Sequence, residues 1–171
     1  MITDLSSMAP TICDFKVADI PNTNRLIAEE SFRRGASGII VQGFPGHDSA
    51  AAVVEAASGR DVFIVTEMSH PGGREFTAPA ADQLAQLAAE VGASGVIAPA
   101  TRPDRLAHVR SLIGDLLILS PGVGAQGGRA ADAIESGADY VIVGRSIYGS
   151  TDPEAAARRF SEEIMMALKG D

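Results

Sequence analysis

The sequence predicts an α/β fold of about six βα units, arranged as a (β/α) barrel or as a doubly wound parallel sheet. Short apolar runs alternate with alanine-rich amphipathic stretches along the chain. The apolar runs are continuous, which is typical of parallel strands that are covered on both faces. A weak internal repeat, in which a Gly-Ala pair precedes a short apolar run, starts at Gly35, Gly92 and Gly137 and also indicates regular βα units.

The apolar runs are the predicted strands. They cover residues 11–15, 38–41, 62–66, 95–98, 116–119 and 140–143. Helix signals lie between and after them, and the predicted helices cover residues 49–57, 78–91, 103–113 and from 153 towards 168. Asp48 is predicted to cap the first of these helices, and Gly92 and Gly114 are predicted to end the next two.

The composition limits the domain count and the kinds of partner. The chain has 171 residues and no linker or change of composition, so residues 1–171 are predicted to form a single domain. The formal net charge is −8 and there is no basic run, so neither nucleic acid nor an anionic membrane is an expected partner. Such an acidic protein has to bind an anion through a local cluster of Arg, Lys and backbone N–H groups.

Other features of the sequence indicate the cellular compartment of the protein. The single cysteine, Cys13, lies inside an apolar strand and is expected to be an inert core residue. Residues 1–9 are short and polar and do not resemble a signal peptide. No apolar stretch approaches the ~20 residues that a membrane-spanning helix needs. We therefore expect a cytoplasmic protein.

The charged run that follows the first predicted strand is the strongest functional signal. Asp14 and Lys16 are two residues apart and should leave the same face of the strand, and Asp19 follows in the turn before the next helix. Packing these charges at a strand end costs free energy unless each is paired. The pattern therefore indicates a site that handles charge and a proton, with a structural salt bridge as the equally weighted alternative.

A glycine-rich stretch after the fifth strand predicts a phosphate site. Residues 120–128 include Gly122, Gly124, Gly127 and Gly128, and the sixth strand is followed by Gly144-Arg145. Glycines let backbone N–H groups approach an anion, and an arginine adds a fork of donors. Two late loops of a barrel often form one phosphate cradle. The alternative is a flexible loop beside an arginine in a salt bridge.

Other polar residues carry weaker signals. Ser69 is a candidate to hydrogen-bond a polar ring edge, but its neighbour His70 points away from it and the two do not form a nucleophile and base. The three histidines and one cysteine lack metal-ligand spacing, so neither a metal nor an organic cofactor is expected. We interpret the charges that begin and line the helix predicted over residues 103–113 as a solvated helix face; they are Arg102, Asp104, Arg105 and Arg110.

Together these motifs resemble the orotidine 5′-monophosphate decarboxylases, especially the short archaeal kind. The matching segments are residues 14–24, 66–72, 98–103, 120–128 and 143–148. The Asp-x-Lys-x-x-Asp motif is shared with sugar-phosphate enzymes of the same superfamily, whereas the Ser-His-Pro-Gly and Gly-Val-Gly-Ala-Gln-Gly-Gly segments are more specific. The resemblance implies a TIM-type (β/α) barrel and cofactor-free decarboxylation of orotidine monophosphate to uridine monophosphate in pyrimidine biosynthesis.

The resemblance also implies roles for the charged run. Asp14 would lie against the substrate carboxylate and raise its ground-state energy. Lys16 would stabilise the carbanion at C6 and deliver the proton to it. Asp19 would reach into the site of a partner subunit, where Ile20 and Thr23 line the shared pocket. The implied assembly is therefore a homodimer with a shared active site.

The substrate-binding residues follow from the same resemblance. Ser69 would bind the pyrimidine edge, and Gln126 would bridge the base and the phosphate. Arg145 and the backbone of Gly144 would grip the phosphate. Pro121 and Gly127 complete the substrate-binding set in the glycine-rich loop.

The start of the chain departs from the family. A family member carries two further βα units before the Asp-x-Lys strand, whereas nine residues precede that strand here. We therefore expect an N-terminally shortened, open and incomplete barrel whose edges invite pairing with another chain. Two alternatives to an active decarboxylase follow: an impaired or inactive homologue that binds a nucleotide or sugar phosphate, or another phosphosugar enzyme of the superfamily.

Overall fold

The computed structural model describes residues 1–169, which form alternating strands and helices. The elements are α1 (Ile2–Ser6), β1 (Ile12–Val17), α2 (Pro21–Arg33), β2 (Gly38–Gln42), α3 (His47–Ala57), β3 (Asp61–Val65), α4 (Gly73–Glu90), β4 (Gly95–Ile97), α5 (Pro103–Ile113), β5 (Leu117–Pro121), α6 (Ala130–Glu135), β6 (Tyr140–Ile142), α7 (Arg145–Tyr148) and α8 (Pro153–Lys169). The strand order is β1-β2-β3-β4-β5-β6, with β1 and β6 at its two ends. The predicted α/β class, its six strands and its open order are confirmed.

The chain divides into two compact units. The first comprises residues 1–66 and 80–96, and the second comprises residues 67–79 and the chain from Ile97 onward. Each unit has its own buried core and its own set of residues from the predicted site.

The core of the first unit surrounds β2 and β3. These strands pair in parallel with Ile39 opposite Val62 and Val41 opposite Ile64, and these four side chains are buried. Burial of an aliphatic side chain of this size contributes about 1.5–3 kcal/mol, so these strands supply much of the unit's stability. Burial on both faces explains why the sequence of β2 and β3 is continuously apolar.

Strand β1 is irregular where the charged run begins. It pairs in parallel with β2, with Cys13 opposite Ile39 and Val17 opposite Val41, and the register shifts between these two pairs. Lys16 lies inside this irregular segment with a φ of 48°. The simple two-residue alternation that the sequence suggests for Asp14 and Lys16 is therefore interrupted by the backbone.

Cys13 is buried on β1, as the sequence predicts. Burial raises the pKa of its thiol, and a hydrogen bond with Ser31 offsets part of that effect. The thiolate is the reactive form, so less of it is present at any pH than in a free cysteine. We expect iodoacetamide to alkylate the native protein at pH 7.5 far more slowly than the urea-unfolded chain, as measured by intact mass. Equal rates in the two states would contradict the buried placement.

The second unit is built on β5, β6 and the helices that follow them. β5 and β6 pair in parallel with Leu119 opposite Tyr140, and Ile118 and Leu119 of β5 are buried. α6 packs against α8, and Glu163 on α8 accepts a hydrogen bond of 3.0 Å from the backbone N–H of Ala131. β6 departs from the expected coverage on both faces, because its first and last residues are exposed.

The starts of α1, α3 and α4 differ from the sequence-based expectation. Residues 2–6 form α1, where no element is predicted. α3 begins at His47 after Gly46, so Asp48 lies in the first turn, where its carboxylate accepts a hydrogen bond of 2.9 Å from the N–H of Ser49. α4 begins five residues before the predicted start and contains Pro79. A proline costs that helix one backbone hydrogen bond, which is why the sequence suggests a later start.

Within residues 1–169, no helix is long and apolar enough to cross a membrane.

Candidate functional site

Asp14 and Lys16 form an ion pair at the end of β1. The Nζ of Lys16 lies 2.6 Å and 2.7 Å from the two carboxylate oxygens of Asp14. The pair is partly open to solvent, because the side chains of Lys16 and Asp14 are 37% and 46% exposed. An ion pair with that exposure contributes about 0–1 kcal/mol to stability.

The backbone at Lys16 is strained. Its φ of 48° lies in the left-handed region, which costs a residue with a Cβ about 1–2 kcal/mol. The strain therefore equals or exceeds what the ion pair contributes. A strained backbone that directs a charged side chain is typical of a functional position, so the geometry favours a functional site over a structural salt bridge.

The turn that carries Asp19 is held by two buried polar residues. The N–H of Asp19 donates to Oδ1 of Asn24 at 2.9 Å, and the hydroxyl of Ser49 donates to the carbonyl of Asp19 at 2.9 Å. The Asp19 carboxylate accepts a hydrogen bond of 2.7 Å from the N–H of Ile20. Among residues 1–169 the structure pairs Lys16 with Asp14 and not with Asp19. The role of Asp19 toward a partner subunit stays a prediction.

Ile20 and Thr23 lie on the surface of the first unit. Ile20 is 64% exposed and lines a groove with Asp19 and the exposed ring of Phe44. Thr23 lines a second, mainly apolar groove with the exposed Phe15 and Leu26. These surfaces are available for a partner of apolar character.

Ser69 and Gln126 meet in the second unit, although 57 positions separate them in the chain. The hydroxyl of Ser69 donates to Oε1 of Gln126 at 2.9 Å. The carbonyl of Ser69 accepts a hydrogen bond of 3.1 Å from the hydroxyl of Thr101. Gly122 lies against Ser69 and Thr101. Its φ is 105°, and a Cβ there would lie 2.9 Å from Cγ2 of Thr101. The serine and the amide of Gln126 thus form one polar pair.

The glycine-rich loop closes on itself. The N–H of Gly124 donates to the carbonyl of Gly128 at 2.8 Å, the N–H of Gly127 to the carbonyl of Gly124 at 2.8 Å, and the N–H of Gly128 to the carbonyl of Gly122 at 3.0 Å. These three amides are therefore occupied within the loop and do not form an open cradle, contrary to the sequence-based expectation. A Cβ on Gly124 would clash with the hydroxyl of Ser146, so the loop packs against α7.

The other predicted phosphate ligands lie around this loop. Arg145 and Gly144 are exposed directly after β6. The structure records no hydrogen bond or ion pair between the Arg145 side chain and other residues in the described range 1–169. Gly127 is exposed with open space where a Cβ would lie. Pro121 ends β5, and its carbonyl accepts a hydrogen bond of 2.9 Å from the N–H of Ala100. The cation and the loop edge are thus accessible to a ligand.

The interpretation of the α5 charges as a solvated face is wrong for the three arginines. Arg102 and Arg105 pair with the buried carboxylate of Glu67, and Arg110 donates hydrogen bonds to backbone carbonyls. Only Asp104 is exposed as expected. The sequence carried one usable signal: Glu67 directly follows an apolar strand, where a carboxylate needs a cation.

No group of three or more potential metal ligands occurs within residues 1–169. The residues of the predicted site instead offer an ammonium, carboxylates, a hydroxyl, an amide and a guanidinium. These groups suit proton transfer and the binding of an oxyanion.

Parallel strands that carry such groups at their carboxyl ends place the chain among the TIM-type α/β proteins. Residues 2–160 match the model of the Orotidine 5'-phosphate decarboxylase / HUMPS family, and the chain belongs to that family. The resemblance inferred from the sequence motifs is thereby confirmed.

Relatives in the archaea support the same assignment. The chain is 58% identical over 173 residues to the orotidine 5'-phosphate decarboxylase of Methanosarcina mazei, covering 99% of this chain and 79% of that protein. It is 57% identical over 168 residues to that of Thermococcus kodakarensis, covering 96% of this chain and 78% of the relative.

Solved structures agree with the sequence relatives. The orotidine 5'-monophosphate decarboxylase of Methanocaldococcus jannaschii, complexed with the inhibitor BMP, aligns with a TM-score of 0.90 at 42% identity, covering 95% of this chain and 78% of that one. The Pyrococcus horikoshii enzyme aligns with a TM-score of 0.88 at 47% identity, covering 96% and 79%.

Proposed function

We propose that this protein is a lyase that decarboxylates orotidine monophosphate to uridine monophosphate without a cofactor. The observation that carries the proposal is the Asp14–Lys16 ion pair, in which a lysine on a strained backbone is held against a carboxylate. A stability role does not account for that arrangement. Membership of the decarboxylase family supplies the reaction to which it fits.

The proposed chemistry uses both members of the pair. The carboxylate of Asp14 lies against the substrate carboxylate, and repulsion between the two like charges is relieved when carbon dioxide leaves. The C–C bond breaks and its electron pair stays on C6 of the pyrimidine. The ammonium of Lys16 stabilises that charge and then donates a proton to C6, forming the new C–H bond. The neutral lysine regains its proton from solvent.

The second unit supplies the proposed binding groups. Ser69 and Gln126 contact the edge of the base, and Gln126 also extends to the phosphate. Arg145, with the backbone of Gly144, holds the phosphate beside the exposed loop edge at Gly127, and Pro121 borders the base. Contacts to the non-reacting phosphate provide binding energy that can offset strain at the reacting carbon. The hydrogen bond between Ser69 and Gln126 favours an enzyme that binds a base over other phosphosugar enzymes of the superfamily.

The proposed assembly is a homodimer in which Asp19 of one subunit completes the site of the other. The exposed Ile20 and Phe44 support it, because they lie beside Asp19 and would be buried by a second copy.

We place the enzyme in the cytoplasm, because its proposed substrate is a charged nucleotide that does not cross membranes unaided. The single-domain organisation of residues 1–171 also stays a prediction.

Replacing Arg145 with alanine is expected to weaken the binding of uridine monophosphate by about 1.5–3 kcal/mol, the loss of a charged hydrogen-bond donor. Titration calorimetry measures the change. Arg158→Ala is the matched control, because Arg158 is an exposed arginine of α8 paired with Glu154, and its loss should leave the affinity unchanged. Equal affinities of the wild-type and Arg145→Ala proteins would rule out the proposed phosphate site.

A further inference from the structure

Glu67 is a buried carboxylate with no part in the chemistry proposed above. It lies two residues after β3, is 1% exposed, and contacts two arginines of α5 and its N-terminal boundary. The Nε of Arg102 is 2.7 Å from Oε1, and the Nε of Arg105 is 3.1 Å from Oε2. Removing one member of such a pair leaves the other charge buried without that partner. The fold therefore accepts a costly buried ion cluster next to the segment that carries Ser69.

Arg102 connects this cluster to the backbone. Its Nη2 donates a hydrogen bond to the carbonyl of Met68, the residue before Ser69. Two atoms of this contact, the Nε of Arg102 and the Oε1 of Glu67, have no hydrogen bond of normal geometry within residues 1–169. The Arg102–Glu67 contact is thus an ion pair, and the directional bond of the guanidinium goes to the Met68 carbonyl.

Side chains hold the backbone on either side of that carbonyl. The N–H of Met68 donates to the hydroxyl of Thr77 at 3.0 Å, and the hydroxyl of Thr101 donates to the carbonyl of Ser69 at 3.1 Å. The Ser69 hydroxyl, which these bonds orient, meets Gln126 at 2.9 Å. The position of the Ser69 hydroxyl therefore depends on groups that do not touch a ligand.

We propose that Glu67 is a positioning residue for base recognition. Its carboxylate holds Arg102, and Arg102 holds the Met68 carbonyl, so that Ser69 presents its hydroxyl to the base edge beside Gln126. The ligand-binding part of this inference rests on the proposed function. The geometric part, that Glu67 fixes the backbone at Met68 and Ser69, does not.

Glu67→Gln separates positioning from a merely structural role, because it keeps the size of the side chain and removes the charge that holds Arg102. Two ligands are compared at a temperature at which circular dichroism shows the variant folded. Uridine monophosphate has a base and ribose 5-phosphate has none. We expect the affinity for uridine monophosphate to fall about tenfold, the worth of one good hydrogen bond, and the affinity for ribose 5-phosphate to stay within about twofold. A merely structural role would lower both equally or neither.

Amide hydrogen exchange tests the geometric part directly. Exchange of the Met68 amide, which donates to the hydroxyl of Thr77, is expected to be about tenfold faster in Glu67→Gln, since a local opening becomes easier by the worth of one bond. Glu75→Gln, which alters an exposed carboxylate on α4, is the matched control and should change neither exchange nor affinity. If Glu67→Gln does not fold, Arg102→Lys replaces it, because lysine keeps the positive charge but lacks the second forked donor.

The outcomes distinguish the two proposals. Unchanged exchange at Met68 overturns the inference, and so does faster exchange with an unchanged preference for uridine monophosphate. A wild-type protein that binds both ligands equally overturns the proposed function. In that case faster exchange in the variant still supports the positioning of Ser69 by Glu67, and unchanged exchange overturns it.

Discussion

Lys16→Ala is expected to abolish measurable decarboxylation while the protein stays folded and still binds uridine monophosphate. In the proposed mechanism the removed ammonium acts on the developing carbanion, so the loss should appear in kcat. Proton transfer by a positioned group alone is worth about 10²–10⁴-fold. Loss of the exposed ion pair with Asp14 should change the free energy of unfolding by less than about 1 kcal/mol. The fall in absorbance of orotidine monophosphate, followed at saturating substrate, measures kcat.

Two controls make this test specific. The chain holds one other lysine, Lys169 at the end of α8, and Lys169→Ala should keep full turnover. Lys16→Arg keeps a positive charge opposite Asp14, but a guanidinium does not release its proton in proteins, so this variant should be as inactive as Lys16→Ala. Turnover near the wild-type rate in either Lys16 variant would show that another group donates the proton.

Arg110→Ala is expected to cause a large loss of stability. The guanidinium donates to three backbone carbonyls, those of Gly114 at 2.6 Å, Leu116 at 2.7 Å and Gly137 at 2.8 Å, and it pairs with Asp139. These bonds join the end of α5 to the loops that enter β5 and β6. The side chain of Arg110 is a quarter exposed. We therefore expect the free energy of unfolding to fall by about 2–4 kcal/mol, which is less than the summed contributions of separate hydrogen bonds from a charged group.

Urea titration followed by circular dichroism gives the free energy of unfolding of Arg110→Ala. Arg158→Ala removes an arginine of α8 that makes an exposed pair with Glu154 and is expected to cost less than about 1 kcal/mol. Similar midpoints for the two variants would mean that the carbonyls around Arg110 find water as an equally good partner.

The fold was predictable where the periodic signal and the packing agree. The continuous apolar sequences of β2 and β3 reflect burial on both faces, and the sequence placed those strands to within one residue. β6 has the same kind of sequence but exposed ends, because it lies at one end of the strand order. Local sequence cannot distinguish a strand with two neighbours from a strand with one.

For the candidate site, the sequence indicates which residue types to consider but not the contacts between them. Asp14 and Lys16 are paired, but a shift in register and a left-handed residue bring them together, and neither has a signal in the sequence. The contact between Ser69 and Gln126 required the family resemblance, since no local rule joins positions so far apart. The burial of Arg102 was missed because a charge near a helix start is usually solvated, and its partner Glu67 belongs to a different segment.

The closed form of the glycine-rich loop has a consequence for the selection among anions. An anion that draws on the N–H groups of Gly124, Gly127 and Gly128 has to replace carbonyl partners that already satisfy them. Chloride accepts hydrogen bonds weakly and offers one charge, so it gains little from that exchange. A phosphate dianion presents several strong acceptor oxygens at once and can compensate for every carbonyl it displaces. At the proposed phosphate site, the closed loop therefore favours phosphate esters over chloride.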